Sequence, residues 1–160
     1  MSAIVLKDVS FSYEEGGSQV LSHGELTVEY GEVALLCGLS GEGKSTVLSL
    51  IAGIIPHVTP GQIQGEVYID GVSTAGQSMG QICRKVGVVL QNAESQIIQQ
   101  LVEDEIAFGC ENFALSPQEI AQRIQESCQV MKLSPQWRTR TLSGGQKQRL
   151  MTAATLATGQ

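Results

Sequence analysis

After an apolar opening at Ala3, Ile4, Val5 and Leu6, apolar and polar positions alternate through Val9, Phe11 and Tyr13, which predicts a half-buried strand over residues 3–13. Gly16 and Gly17 permit a tight reversal within residues 14–18, and residues 19–28 then predict an antiparallel partner strand. The pattern changes at Glu32. Residues 32–37 predict a continuous apolar strand, a glycine-rich turn follows, and residues 45–55 place Val47, Leu48, Leu50 and Ile51 at helical spacing. Strand, loop and helix in that order predict a parallel α/β unit. Residues 65–69, closed by the turn Asp70-Gly71, and the apolar run 86–90 are expected as further strands feeding the same core.

From Val102 the pattern turns helical. Ser116-Pro117-Gln118-Glu119 has the form of a capping box with proline at the first helical position. The helix it opens carries Ile120, Ile124, Cys128 and Met131 on one face and Gln122, Gln125, Glu126 and Gln129 on the solvent face. The last helix is expected from about Gly144 to Thr158, with Ser143 as its cap and Gly159 as its stop. Crossover helices return the chain to a sheet, so the expectation is an α/β domain that continues past Gln160.

Composition enters mainly by exclusion. A chain of 160 residues that is 42% hydrophobic supports one packed domain or part of one. With a net charge of -6 and a pI near 4.9 there is no basic field for a nucleic-acid backbone, and nucleic acid is not expected as a partner. The longest apolar runs, residues 33–37 and 47–55, fall far short of the roughly 20 residues of a membrane span. The opening MSAIVLKDVS lacks the positive flank and apolar stretch of a secretory signal, so the cytosolic side is expected. Cys37, Cys83, Cys110 and Cys128 follow no metal or disulfide spacing and are expected as small buried hydrophobes. His57 is expected to be a solvated loop histidine. Glu103, Asp104 and Glu105 are expected to be a solvated acidic cluster opening a helix, not a source of a general base.

Gly38-Leu39-Ser40-Gly41-Glu42-Gly43-Lys44-Ser45 matches GxxxxGK[ST] in full, between an expected strand and an expected helix. Its glycines let successive N–H groups point inward at the positive end of the helix, an anion nest suited to α and β phosphates. Lys44 supplies a mobile charge for β and γ phosphates, the Ser45 hydroxyl is a candidate Mg2+ ligand, and Thr46 is a further candidate phosphate contact. Glu42 is discordant beside phosphates, and its side chain is expected to point to solvent. Roughly a hundred residues further on, Leu142-Ser143-Gly144-Gly145-Gln146 opens the last helix with two glycines and a Ser-x-x-Gln cap.

With GKST and LSGGQ in this order, the chain resembles the ATP-binding cassette (ABC) ATPases over its whole length. The resemblance implies an α/β P-loop NTPase core with an N-terminal antiparallel β layer and a helical subdomain, breaking off before the Walker B strand. The expected parts are residues 1–30 (β layer), 31–90 (phosphate-loop core), 91–141 (Q-loop and helical subdomain) and 142–160 (signature motif and helix). It implies ATP and Mg2+ as cofactors, with Ser143, Gly144, Gly145 and Gln146 closing over nucleotide held by a second ABC domain. Tyr13 matches the aromatic that stacks on adenine in this family, the ring rather than its hydroxyl carrying the role; a strand-end core aromatic is the other reading. Gln91 matches the glutamine that reaches Mg2+ and the attacking water; a surface loop glutamine is the alternative. The Walker B acid, catalytic glutamate and switch histidine are expected beyond Gln160, so no general base is assigned.

The runs Gln91-Asn92-Ala93-Glu94-Ser95-Gln96-Ile97 and Val102-Glu103-Asp104-Glu105-Ile106-Ala107-Phe108-Gly109 are similar to energy-coupling factor importers of vitamins and metal ions. Gly53-Ile54-Ile55-Pro56-His57 is similar to members with two cassettes in one polypeptide. The implied partners are a second ABC ATPase domain, as a homo- or heterodimer or in tandem, and a transmembrane subunit, with the protein peripheral at the cytoplasmic membrane face. The alternatives are a soluble non-transport ABC ATPase and a module that binds nucleotide without hydrolysing it.

Overall fold

The computed structural model describes residues 2–159, which form two compact units, one ending at Val86 and the other beginning at Gly87. The first unit is built on an antiparallel sheet of order β2-β1-β3-β4. Strand β1 (Ser2–Ser12) lies in the middle, paired on one side with β2 (Leu21–Glu29) and on the other with β3 (Gln62–Ile69), which pairs with the short β4 (Val72–Ser73). Asp70 and Gly71, both at positive φ, make the β3–β4 reversal, the backbone that a right-twisted two-residue hairpin needs. A register shift between Lys7 and Ser10 puts Asp8 at φ 51, and a Cβ at Gly65 would lie 2.3 Å from the Asp8 carbonyl oxygen. Only glycine lets β3 approach the bulge that closely.

Helix α1 (Lys44–Ile51) buries Val47, Leu50 and Ile51 against Leu6, Val9, Phe11 and Val67 of the sheet, joined by Ile55 of the short α2 (Ile54–His57). Helix α3 (Met79–Cys83) opens with a reciprocal Ser78–Gln81 capping box and buries Ile82. The expected strands at 32–37 and 86–90 are not formed. Neither segment enters a ladder among the described residues, and Val33 and Leu35 are 95% and 86% exposed. A strand exists by pairing, and β1, the long apolar strand of this unit, is already paired on both edges. The α/β class stands, with helices on an antiparallel sheet in place of the expected parallel one.

The second unit is helical: α4 (Val102–Asn112), α5 (Pro117–Met131) and α6 (Gly144–Ala157), with 3-10 turns at Ala93–Gln96 and Thr139–Thr141. Val102, Ile106, Cys110, Cys128, Leu142, Leu150, Ala153 and Ala157 form its core, flanked by Ile120, Ile124 and Met131 as the helical spacing predicts. The Ser116 hydroxyl accepts from the Glu119 N–H while the Glu119 carboxylate accepts from the Ser116 N–H at 3.0 Å, and the hydrogen bond from the Ser116 side chain holds that carboxyl below its usual range.

Two expectations are corrected here. Burial pushes the Cys110 and Cys128 thiols up, but Cys37 is exposed and Cys83 half-buried, because Cys37 lies in the unpaired segment before the glycine loop. Glu105 is not solvated: it is 4% exposed, and its carboxylate accepts the N–H groups of Ile98 and Gln99 at 2.9 and 2.7 Å. The preceding loop folds over the start of α4 and brings its donors to this side chain, which makes burial of the carboxylate tolerable.

Candidate functional site

Helix α1 begins without a side-chain cap, on Gly43 at φ 80, and Gly38 and Gly41 also hold positive φ at 153 and 88. This backbone leaves the first-turn N–H groups of α1 to an external acceptor, since no Ser, Thr, Asp or Asn side chain caps them. Lys44 curls back, its ammonium donating to the Gly38 carbonyl at 2.8 Å and to the Leu39 carbonyl. Ser45 is exposed and Thr46 is 5% exposed.

Glu42 departs from its expected outward course. The residue is exposed, but its carboxylate turns back and accepts the Leu39 N–H at 2.6 Å. The loop turns its own carboxylate onto one of its N–H groups. A carboxylate of the chain's own thus stands where the loop is suited to hold a phosphate oxygen, and the residues present fit a phosphate-bearing ligand.

Tyr13 lies directly after β1, its ring edge-on to Phe11 with centroids 4.8 Å apart, and is 48% exposed. Its hydroxyl is 3.0 Å from the Thr46 hydroxyl, so the structure brings Tyr13 and residues 38–46 together in the first unit.

Gln91 and residues 142–146 lie in the second unit. Ser143 caps α6 by a reciprocal box with Gln146: the Ser143 hydroxyl accepts the Gln146 N–H at 3.4 Å and the Gln146 amide oxygen accepts the Ser143 N–H at 2.8 Å. Leu142 is buried in the core, whereas Gly144 and Gly145 are exposed, and a Cβ on either meets nothing within 4 Å. Gln91 is exposed. Gln96 secures the segment just before it, accepting from the Leu90 N–H at 2.7 Å and donating to the Val88 carbonyl at 3.2 Å. Lys147, one residue past the signature, donates to Glu94 at 2.6 Å and so ties the first turn of α6 to the loop after Gln91.

The roles of Gln96, Glu94, Lys147 and Glu105 escape sequence reasoning, because each depends on a partner remote in sequence or on loop geometry. His57 is also corrected: its ring nitrogens face the carbonyls of Gly53 and Gln77 at 2.9 and 2.8 Å, so the ring is held by backbone rather than merely solvated. Among the described residues no group of three or more His, Cys, Asp or Glu is placed to hold a metal.

The sequence profile described as "ABC transporter" matches residues 21–160. A putative ABC transporter ATP-binding protein of Methanosarcina acetivorans is 38% identical over 156 residues, covering 96% of this chain and 24% of that protein. One of Pyrococcus horikoshii is 37% identical over 161 residues, covering 98% of this chain and 56% of that protein. The chain therefore spans between a quarter and about half of the length of these relatives. Among solved structures, cbiO1 of Clostridium perfringens, part of the ABC transporter complex cbiONQ, superposes with a TM-score of 0.85 at 23% identity, covering 98% of this chain and 62% of that one. A bacterial Atm1-family ABC exporter with ATP bound gives a TM-score of 0.76 at 23% identity, covering 98% and 27%. With the profile matched over most of its length, the two glycine-rich helix starts in order and the same fold, this chain belongs to the ABC transporter family.

Proposed function

We propose that the chain binds MgATP and, in the full-length protein, hydrolyses it as a motor domain of a membrane importer of the energy-coupling factor type, for a vitamin or metal ion. The observation that carries the reading is the uncapped start of α1, whose glycine loop holds a carboxylate on its Leu39 N–H. Lys44 would turn from the loop carbonyls to the β and γ phosphates, Ser45 would offer its hydroxyl to Mg2+, and Thr46 would meet a phosphate oxygen. Tyr13 offers its half-exposed ring to adenine. Leu142, buried, anchors the signature loop, so that Ser143, Gly144, Gly145 and Gln146 face the nucleotide of a second ABC domain. A Mg2+ ion held by Ser45 would supply charge neutralisation at the phosphates.

Similarity of residues 91–97 and 102–109 to energy-coupling factor ATPases supports the importer class. In that class the protein lies peripherally at the cytoplasmic membrane face against a transmembrane subunit; among the described residues no helix is long and apolar enough to cross a membrane. The test is a fluorescent-nucleotide titration of the full-length protein with and without Mg2+. Mg2+ should tighten binding in the unmodified protein and should do so far less in Ser45→Ala. An identical Mg2+ response in both would overturn the reading.

A further inference from the structure

We infer that the Tyr13 hydroxyl orients the Thr46 hydroxyl toward bound phosphate, so that Tyr13 is a positioning residue for the phosphate site as well as a platform for the base; this rests on the nucleotide site proposed above. The two hydroxyl oxygens lie 3.0 Å apart, joining residues 33 positions apart in sequence. Thr46 is in the first turn of α1 and 5% exposed, so water does not readily satisfy its hydroxyl.

A threonine inside a helix commonly donates to the carbonyl four residues back, and α6 shows this twice: Thr152 to Gln148 at 3.0 Å and Thr155 to Met151 at 2.9 Å. Thr46, in the first turn of α1, has no helical carbonyl four residues back and meets a partner outside its helix, which belongs to the residue offered to adenine. The ring that holds the phenol in place is itself braced edge-on by Phe11, which is fully buried in the sheet core.

The chemistry of the pair decides its direction once an anion is bound. A hydroxyl has one hydrogen to donate and two lone pairs to accept with. If Thr46 donated to Tyr13, its lone pairs would remain for the phosphate oxygens and repel them. With Tyr13 donating, Thr46 keeps its hydrogen for the phosphate, and the two bonds polarise one another in a chain. The phenol therefore selects the rotamer of the Thr46 hydrogen. The sequence reading, which gave the ring all of Tyr13's role, predicts that the hydroxyl is dispensable; the Tyr13–Thr46 pair predicts that it is not.

Two ligands separate the roles in the full-length protein: ATP, and inorganic tripolyphosphate, which has no base. Tyr13→Phe keeps the ring and should weaken both ligands alike, by about fivefold, the worth of one ordinary hydrogen bond. In a Thr46→Val background it should have no further effect, whereas in Thr46→Ser, which retains a hydroxyl, its effect should persist. Thermal melts identify any variant that fails to fold, and Thr46→Ala, which also lacks the hydroxyl, takes the place of Thr46→Val if that variant does. Unchanged tripolyphosphate affinity in Tyr13→Phe, or the same loss in the Thr46→Val background, would overturn the inference. Tyr13→Ala should weaken ATP more than tripolyphosphate; if it does not, the base-platform reading falls while the hydroxyl inference stands. Failure of tripolyphosphate to bind the unmodified protein would count against the phosphate-loop reading itself.

Discussion

The two glycine-rich helix starts share a composition and differ in how they are finished. The loop before α1 holds Gly38, Gly41 and Gly43 at positive φ, has no side-chain cap, and satisfies itself in part through Glu42 and Lys44. The loop before α6 is closed by the Ser143–Gln146 box, and neither Gly144 nor Gly145 needs a positive φ. Glycine therefore serves different ends in the two places. Before α1 it permits a backbone that a side chain would strain; before α6 it leaves open space beside an ordinary capped helix. The first loop leaves its helix start without a side-chain cap, while the second uses its own side chains to fix its shape.

Substitutions can break that contrast in order of expected effect. If the proposed nucleotide site holds, Lys44→Ala should lower ATP turnover of the full-length protein by about 100-fold or more through loss of the charge that would meet the transferring phosphate, with an unchanged melting temperature, because Lys44 bonds loop carbonyls here. Phosphate release and circular dichroism check the two halves of this statement, and near-normal turnover would remove the phosphate loop from the site.

Exchanging the glycines sharpens the comparison next. Gly43→Ala should destabilise the fold by roughly 1–2 kcal/mol, since φ is 80 and the new Cβ would meet the Val20 carbonyl oxygen at 3.0 Å. Gly144→Ala, with nothing within 4 Å, should be neutral or stabilising by up to about 1 kcal/mol, and if the proposed pairing with a second ABC domain holds it should weaken that pairing. Chemical denaturation of the two variants side by side measures the difference, and equal destabilisation would show that the loops do not differ as described.

Ser143→Ala should cost about 1 kcal/mol of stability through loss of the cap, an effect without counterpart before α1. A Ser143→Asp variant that melts like the unmodified protein would confirm that capping is the cause. The smallest effect is expected at Glu42: Glu42→Gln removes a negative charge from the Leu39 N–H and should tighten ATP by about threefold, measurable by calorimetric titration. Weaker binding would mean that the carboxylate supports the loop rather than competing for it.

What could be read from sequence alone was local. Ser116 with Glu119, Ser143 with Gln146, and the glycines at 38, 41 and 43 specify their backbones within a few residues, so both capping boxes and the bare helix start appear where the residues predict them. β1 and its partner β2 were legible from alternation and a glycine turn for the same reason. The Ser78–Gln81 cap was equally present as Ser-x-x-Gln, but the short α3 behind it offers no helical period to draw attention to it.

Tertiary structure decided what depends on a distant partner. The runs 32–37 and 86–90 have strand-like composition, but pairing makes a strand, and neither run enters a ladder among the described residues. Glu105 has the sequence of a solvated acid and became buried because two backbone N–H groups from the preceding loop reached it. Glu42 turned inward because the loop it belongs to offered a donor. Tyr13 and Thr46 met because β1 and α1 pack on each other, and no periodicity in a sequence reports a bond across such a gap. Local backbone preferences are written residue by residue, whereas burial and pairing are properties of the packed chain.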